Sequence, residues 1–146
     1  MTTTIRTAEA SDLGAILSLY AEFNPDDPAL DPAVAATTFD DILNRKGVDL
    51  LLARRDGVPA GSLTLIVIPN LTRSARPYAF LENVVTAKAH RRTGIGRALI
   101  AEAVARAQQA NCYKLMLLTG LDNPAVHAFY QETGFQRAKA GFEMRF

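Results

Sequence analysis

Arg91-Arg92-Thr93-Gly94-Ile95-Gly96-Arg97 stands between a strand pattern, Tyr78 to Thr86, and a helix pattern, Gly96 to Ala110. Glycines at 94 and 96 let a backbone turn tightly and approach a ligand closely. The first N–H groups of a helix have no internal partner and carry the positive end of its dipole, so this position suits a pyrophosphate. Arg91, Arg92 and Arg97 add charge around it. Spacing excludes two common phosphate loops. A dinucleotide fingerprint needs a third glycine where Leu99 stands, and a Walker loop needs Gly-Lys-Ser/Thr, which is absent. By itself Gly-x-Gly also fits a plain basic turn. The surrounding pattern has to decide.

That pattern changes along the chain. Leu13, Ile16, Leu17 and Tyr20 make one apolar stripe, predicting a helix from Ser11 to Phe23. Asp31-Pro32 reads as an N-cap followed by proline at the first helical position, opening a second helix to about Asn44 that buries Val34, Thr38 and Ile42. Val48 to Arg54 and Val58 to Ile68 are strands joined by an Asp56-Gly57 turn. After Tyr78 to Thr86 the order becomes strand, glycine loop, helix, strand, helix, strand. Tyr113 to Thr119 is near-continuously apolar, as expected for a strand covered on both faces. Asn123-Pro124 opens a short helix that Gly134 closes, and Gln136 to Phe146 reads as a last strand region.

Composition narrows the classes. A chain of 146 residues with 49% hydrophobic and 21% charged residues makes one globular domain, residues 1–146, and not a disordered chain. No apolar run spans a membrane, and the start lacks the apolar stretch of a secretory signal, so the expected address is cytoplasmic. A single cysteine, Cys112, offers neither an internal disulfide nor a metal cluster. A net charge of +1 argues against a general nucleic-acid binder. The charge is unevenly spread: residues 1–87 hold 7 basic and 11 acidic side chains, and residues 88–146 hold 9 and 4. A polyanionic small molecule on the second part and a cationic one on the first would fit that division, as would ordinary surface variation.

From Leu81 to Phe135 the chain resembles the GNAT superfamily of N-acetyltransferases. The resemblance rests on Glu82-Asn83-Val84-Val85-Thr86, the Arg-x-x-Gly-x-Gly loop at Arg91 to Gly96, and Ala128-Phe129-Tyr130 followed by Gly134-Phe135. Ile5-Arg6 with Asp12, and the Asp56-Gly57 hairpin leading to Gly61, also fit, and Asn111-Cys112-Tyr113-Lys114 looks like the glucosamine-phosphate N-acetyltransferases. The resemblance implies a single-domain α/β (α+β) GNAT fold, with a mixed central sheet of six to seven strands flanked by about four helices. It also implies acetyl-CoA as cosubstrate and a primary amine, of a small molecule first, as acceptor. The pyrophosphate would lie on the backbone of Arg92, Thr93, Gly94, Ile95, Gly96 and Arg97, with Arg91 beside it. The pantetheine arm would pair with Val84, Val85 and Thr86, where a backbone N–H would polarise the thioester carbonyl, and Asn123 would touch the arm.

Tyr130 is then the expected general acid, because a phenol pKa near ~10 suits protonation of a leaving thiolate. A cleft-edge tyrosine is its plainer role. Glu82 is an ordinary outward carboxylate on a half-exposed strand, or a cleft group that orients the substrate ammonium and takes its proton through water. Strand alternation would send Asn83 to the opposite face from Glu82. Arg73, in the loop before that strand, would recognise a carboxylate or phosphate on the substrate, or is a surface arginine. His127 is roughly on the Tyr130 side of its helix and more often a surface residue; His90 is solvated or near the nucleotide. Cys112 reads as a small core or edge residue without a base to activate it. No nucleic acid, membrane or metal is expected, and a homodimer is left open. The rival class is a regulatory or interaction module that binds CoA without turnover; a protein or peptide N-acetyltransferase is the rival acceptor choice.

Overall fold

A computed structural model describes residues 1–146. Five strands form one sheet in the order β1-β2-β3-β4-β5: β1 Thr3–Thr7, β2 Val48–Arg55, β3 Val58–Ile68, β4 Tyr78–Thr86 and β5 Leu115–Met116. The first four are antiparallel neighbours, and β5 runs parallel to β4. The sheet is therefore mixed, as expected, but has five strands and not six to seven. Tyr113–Thr119 contracts to two paired residues, and Gln136–Phe146 pairs with nothing. The chain has five helices: α1 Leu13–Phe23, α2 Pro32–Asn44, α3 Thr72–Ala75, α4 Ile95–Gln109 and α5 Pro124–Glu132. The segment α3 is a single turn with left-handed dihedrals at Arg73, Ser74 and Ala75.

Local chemistry explains the boundaries. Asp31 accepts hydrogen bonds from the Ala33 and Val34 N–H groups at 2.9 and 3.2 Å, and Pro32 needs no donor at the first helical position. The buried face of α2 is Ala35 and Phe39, one position on from the expected Val34 and Thr38, which are exposed, while Ile42, as expected, and Leu43 pack against the same core. Asp56 and Gly57 both take positive φ, which matches the twist of the hairpin between β2 and β3.

The sheet separates two apolar layers. Leu51, Ala53, Leu63, Leu65, Ala79 and Leu81 pack against Ile95, Leu99, Ile100 and Ala103 of α4. On the other face Leu50, Leu52, Val85 and Ala87 pack against Ile16 and Leu19 of α1 and Phe39 of α2. Gly61 is where α4 comes closest. A Cβ there would lie 2.8 Å from the Val85 carbonyl oxygen and 2.9 Å from the Ile95 side chain.

One buried carboxylate ties the amino-terminal part together. Asp12 is 2% exposed and accepts from Arg6 Nη1 at 2.7 Å, Arg54 Nη2 at 2.9 Å and the Glu9 N–H at 2.8 Å. It thereby joins β1, β2 and the start of α1. These donors, Arg6 foremost, hold its carboxyl far below the usual carboxylate range although burial opposes them. A depressed folded-state pKa contributes stability that is present above the unfolded value near ~4 and lost as pH falls below it. Asp12→Asn should therefore destabilise the fold by about 2 kcal/mol at neutral pH, with the deficit shrinking in acid; denaturant melts at pH 7 and pH 3 measure both effects.

Candidate active site

In β4 the residues Ala79, Leu81 and Val85 all have odd numbers, yet the first two face α4 and the third faces α1 and α2. The cause is a β-bulge. Thr64 pairs with Glu82 and Ser62 with Val85, so Leu63 alone opposes Asn83 and Val84. Asn83 takes φ +50, a left-handed value that asparagine tolerates better than most residues. The Tyr20 phenol on α1 is largely buried, and this burial pushes its pKa up, opposed by the nearby Thr64, Asn83 and Ser62 side chains. The bulge corrects the alternation expected for Glu82 and Asn83: both are exposed and both line the same cleft.

Beyond Phe80 the strands β4 and β5 part. Only Ala79–Leu115 and Phe80–Met116 pair, so β4 from Leu81 to Thr86 has no strand partner on that side. The gap opens a cleft of about 810 Å³. Its walls are β4, the glycine loop with the start of α4, residues 117–120, and α5. Of the residues expected at the cofactor site, Val84, Thr86, Arg91, Arg92, Gly94, Ile95, Gly96, Arg97, Asn123 and Tyr130 line it, as does Glu82.

The glycine loop has the features an anion needs. Gly94 takes φ +88, a conformation that L side chains rarely adopt, and a Cβ there would meet nothing within 4 Å. The first bond of α4 runs from the Ala98 N–H to the Gly94 carbonyl at 3.0 Å, which leaves the N–H groups of 95–97 without intrahelical partners. Arg55 donates to the Thr93 carbonyl at 2.8 Å, and the Thr93 hydroxyl donates to the His90 carbonyl; Thr93 itself lies outside the lining. Arg97 contributes its backbone here, because its guanidinium pairs with Glu132 at 2.6 Å and so ties α4 to α5. Arg91 and Arg92 are exposed and engaged in no ion pair. A polyphosphate with a long uncharged arm fits these donors and this cleft.

Tyr130 is half-buried between Phe129 and Phe135, with ring centroids 5.1 and 5.8 Å away in edge-on contact. Burial pushes its phenol up, so it stays protonated and able to donate. Glu82 has no hydrogen-bond or ion-pair partner and is the only carboxylate lining the cleft. Asn123 caps α5, accepting from the Val126 N–H at 3.2 Å, and also lines the cleft. His127 Nε2 is 2.8 Å from the Gly120 carbonyl; a carbonyl only accepts, so that nitrogen carries the proton and pins the loop.

Three expected cleft residues lie outside the lining: Thr93, Val85 and Arg73. Val85 is buried against α1 and α2 because the bulge turns it inward. Arg73 stacks over the Tyr113 ring at 5.8 Å. Cys112 is partly buried against the sheet core, as expected, and desolvation pushes its thiol up. Asn83, Phe23, Phe129 and residues 117–120 were missed as lining residues. Only the break in alternation at Glu82-Asn83 and Val84-Val85 hints at a bulge, and Phe23 looked like a helix end.

One cleft thus brings together a glycine loop with unpartnered helix N–H groups, two unpaired arginines and a single carboxylate. The sequence profile of the acetyltransferase (GNAT) family matches residues 16–135, and the chain belongs to that family. Its members use acetyl-CoA as acetyl donor. A glucosamine 6-phosphate N-acetyltransferase of Trypanosoma brucei brucei is 28% identical over 134 residues, 90% of this chain and 88% of that protein. The crystal structure of a putative acetyltransferase from Agrobacterium tumefaciens str. C58 superposes with a TM-score of 0.95 at 47% identity, covering 98% of this chain and 99% of that one. A structure described as a transcriptional regulator from Bacillus halodurans C-125 superposes at 0.88 with 28% identity, over 99% and 100%.

Gly94→Asp would put an anion and a strained side chain at the loop. It should leave the melt of the protein alone within a few degrees but remove the rise in Tm that excess CoA gives the parent; at a hundredfold excess over Kd that rise corresponds to about 2.7 kcal/mol. Equal stabilisation of parent and variant by CoA would move the phosphate site elsewhere.

Proposed function

We propose that this protein transfers the acetyl group of acetyl-CoA to the primary amine of a small molecule, by direct attack in a ternary complex. The polarity of the cleft carries the reading. Backbone donors flanked by Arg91 and Arg92 lie at one part of it, the unpaired Glu82 carboxylate at another, and the half-buried Tyr130 phenol lines it too. The backbone of residues 92–97 would hold the pyrophosphate, the free edge of β4 at Val84 and Thr86 would pair with the amide-bearing arm, and Asn123 would reach that arm. Acetyl-CoA supplies a thioester already activated toward amines.

The chain's own groups do the rest. Glu82 would orient the acceptor ammonium and take its proton through water, freeing the nitrogen lone pair to form the new C–N bond. A backbone N–H of Val84 or Val85 would offer a fixed dipole to the charge developing on the carbonyl oxygen. Tyr130 would return a proton to sulfur as the C–S bond breaks. A cysteine relay is disfavoured, since the Cys112 thiol is pushed up and does not line the cleft. An amino sugar or amino-acid derivative suits the single carboxylate, and the name of the Trypanosoma relative supports the amino sugar. A lone unpaired cysteine suits a reducing cytoplasm. The name of the Bacillus structure keeps a binding module without turnover as the rival, and release of free thiol from acetyl-CoA with a panel of amines and peptides decides between them.

Tyr130→Phe removes one oxygen and keeps the packing against Phe129 and Phe135, so CoA affinity should survive. Turnover should fall by ~10²-fold. Because burial raises the phenol's pKa, the donor form persists through neutral pH, and the alkaline limb of kcat should lie above that of a free phenol in the parent and vanish in the variant. An unchanged rate and profile would remove Tyr130 from the chemistry. Cys112→Ser should keep most of the activity; an acetylated Cys112 that chases to product on adding amine would overturn direct transfer.

A further inference from the structure

Arg55 closes β2, far in sequence from every residue of the cleft's glycine loop. Its Nη2 donates to the Thr93 carbonyl at 2.8 Å, across 38 positions of chain. No carboxylate pairs with its guanidinium, and its Nε is buried and donates to nothing. A buried donor left unpaired costs free energy, so the Thr93 bond is what fixes this side chain. The backbone that carries it is rigid. The Asp56 N–H donates to the Thr2 carbonyl at 2.8 Å, and the Thr2 N–H donates to Asp56 Oδ1 at 2.7 Å. Arg54, itself bound to Asp12, donates to the Gly57 carbonyl at 2.9 Å.

The Thr93 carbonyl belongs to the same peptide as the Gly94 N–H. Every peptide bond of the chain is trans, so this carbonyl and this N–H point in opposite directions. The Gly94 N–H has no partner within the chain. Gly94 lines the cleft, whereas Arg55 and Thr93 do not. This peptide plane needs an anchor. Thr93 lies between two left-handed residues, Arg92 at φ +60 and Gly94 at φ +88, and glycine leaves such a value at little cost. The Thr93 hydroxyl is no anchor for the plane, because it donates to the His90 carbonyl from the side chain.

We propose that Arg55 is a positioning residue for the cofactor's pyrophosphate: by holding the Thr93 carbonyl it turns the Gly94 N–H into the cleft. Its unneutralised charge also polarises that peptide and strengthens the N–H as a donor. Arg55 touches no ligand and acts through one peptide plane, whereas Arg91 and Arg92 supply exposed charge beside the loop. The proposal rests on the reading that the glycine loop holds the pyrophosphate.

Calorimetry of CoA binding to the full-length protein reads the effect without turnover. Arg55→Ala should raise the Kd for CoA by about tenfold, the scale of one hydrogen bond from a charged donor. Arg55→Lys keeps the charge and one donor and should recover most of that loss. S-acetylpantetheine has the arm and the thioester but no pyrophosphate. With it as donor, kcat/KM should be equal in the parent and Arg55→Ala, whereas with acetyl-CoA the variant's KM should rise about tenfold at unchanged kcat. CoA binding by Arg55→Ala within about twofold of the parent, while Gly94→Asp loses it, would overturn the role of Arg55 and leave the loop reading standing. Parent-like CoA binding by both variants would overturn the loop reading as well. Parallel losses with both acetyl donors would make Arg55 a residue of the fold alone and overturn the proposal.

Discussion

One extra residue in β4 makes this structure a binding fold and not merely a sheet with helices. With Asn83 and Val84 opposed by Leu63 alone, β4 changes face halfway along. Its first half can pack Ala79 and Leu81 on α4, and its second half can send Val85 to α1 and α2. The same local twist carries β4 away from β5 after two pairs, leaving main-chain groups unpaired at the cleft. A left-handed asparagine costs about 1 kcal/mol or more and persists only where its surroundings fix it. Thr64 and Ser62 pair with its neighbours Glu82 and Val85, and Tyr20 lies beside it, which makes Tyr20 part of the setting of the bulge although its ring does not line the cleft.

The bulge works only if its flanks are held. Asp12 holds β1 and β2 against the start of α1, and α1 in turn presents Tyr20 to the bulge and Phe23 to the cleft. On the opposite face, Gly61 allows α4 to approach β3 closely enough that the helix start, with its unpartnered N–H groups, borders the gap that β4 opens. The Arg97–Glu132 pair and the Arg55–Thr93 bond then set the loop between α5 and the β2–β3 hairpin. Apart from Arg6–Asp12, these contacts cross long sequence distances, so the site depends on the whole sheet.

Sequence showed the local parts well and the long-range parts poorly. The Asp31-Pro32 and Asn123-Pro124 caps, the Asp56-Gly57 turn and the loop at Gly94 are signalled within four residues, because backbone conformation and capping are local physics. The bulge leaves a weaker mark: Glu82-Asn83 and then Val84-Val85 break the period-two pattern, and only the register with β3 locates the insertion. The stripe of α2 slipped by one position for a related reason. Val34 and Ala35 are both apolar, and the sheet, not the helix, selects Ala35 and Phe39 as the covered pair. Nothing near Arg73 in sequence signals its stacking on Tyr113, so a substrate contact and a plain surface arginine look alike there. Gln136–Phe146 was read as a strand from a real pattern, and the pattern lacks a partner within one chain.

The division of charge along the chain acquires a meaning from this arrangement. The basic second part supplies Arg91, Arg92 and the glycine loop, whereas the first part supplies Glu82 and the α1 end at Phe23. The glycine loop and Glu82 thus line one cleft although they come from differently charged parts of the chain. Substitutions at the α1 end beside Phe23 would change that part of the lining while the glycine loop keeps its Gly94 dihedral and its free N–H groups. Glu82 and Asn83 are the exception. They lie where the halves join, on the strand whose bulge opens the cleft, and a change there would alter acceptor contact and cleft geometry together.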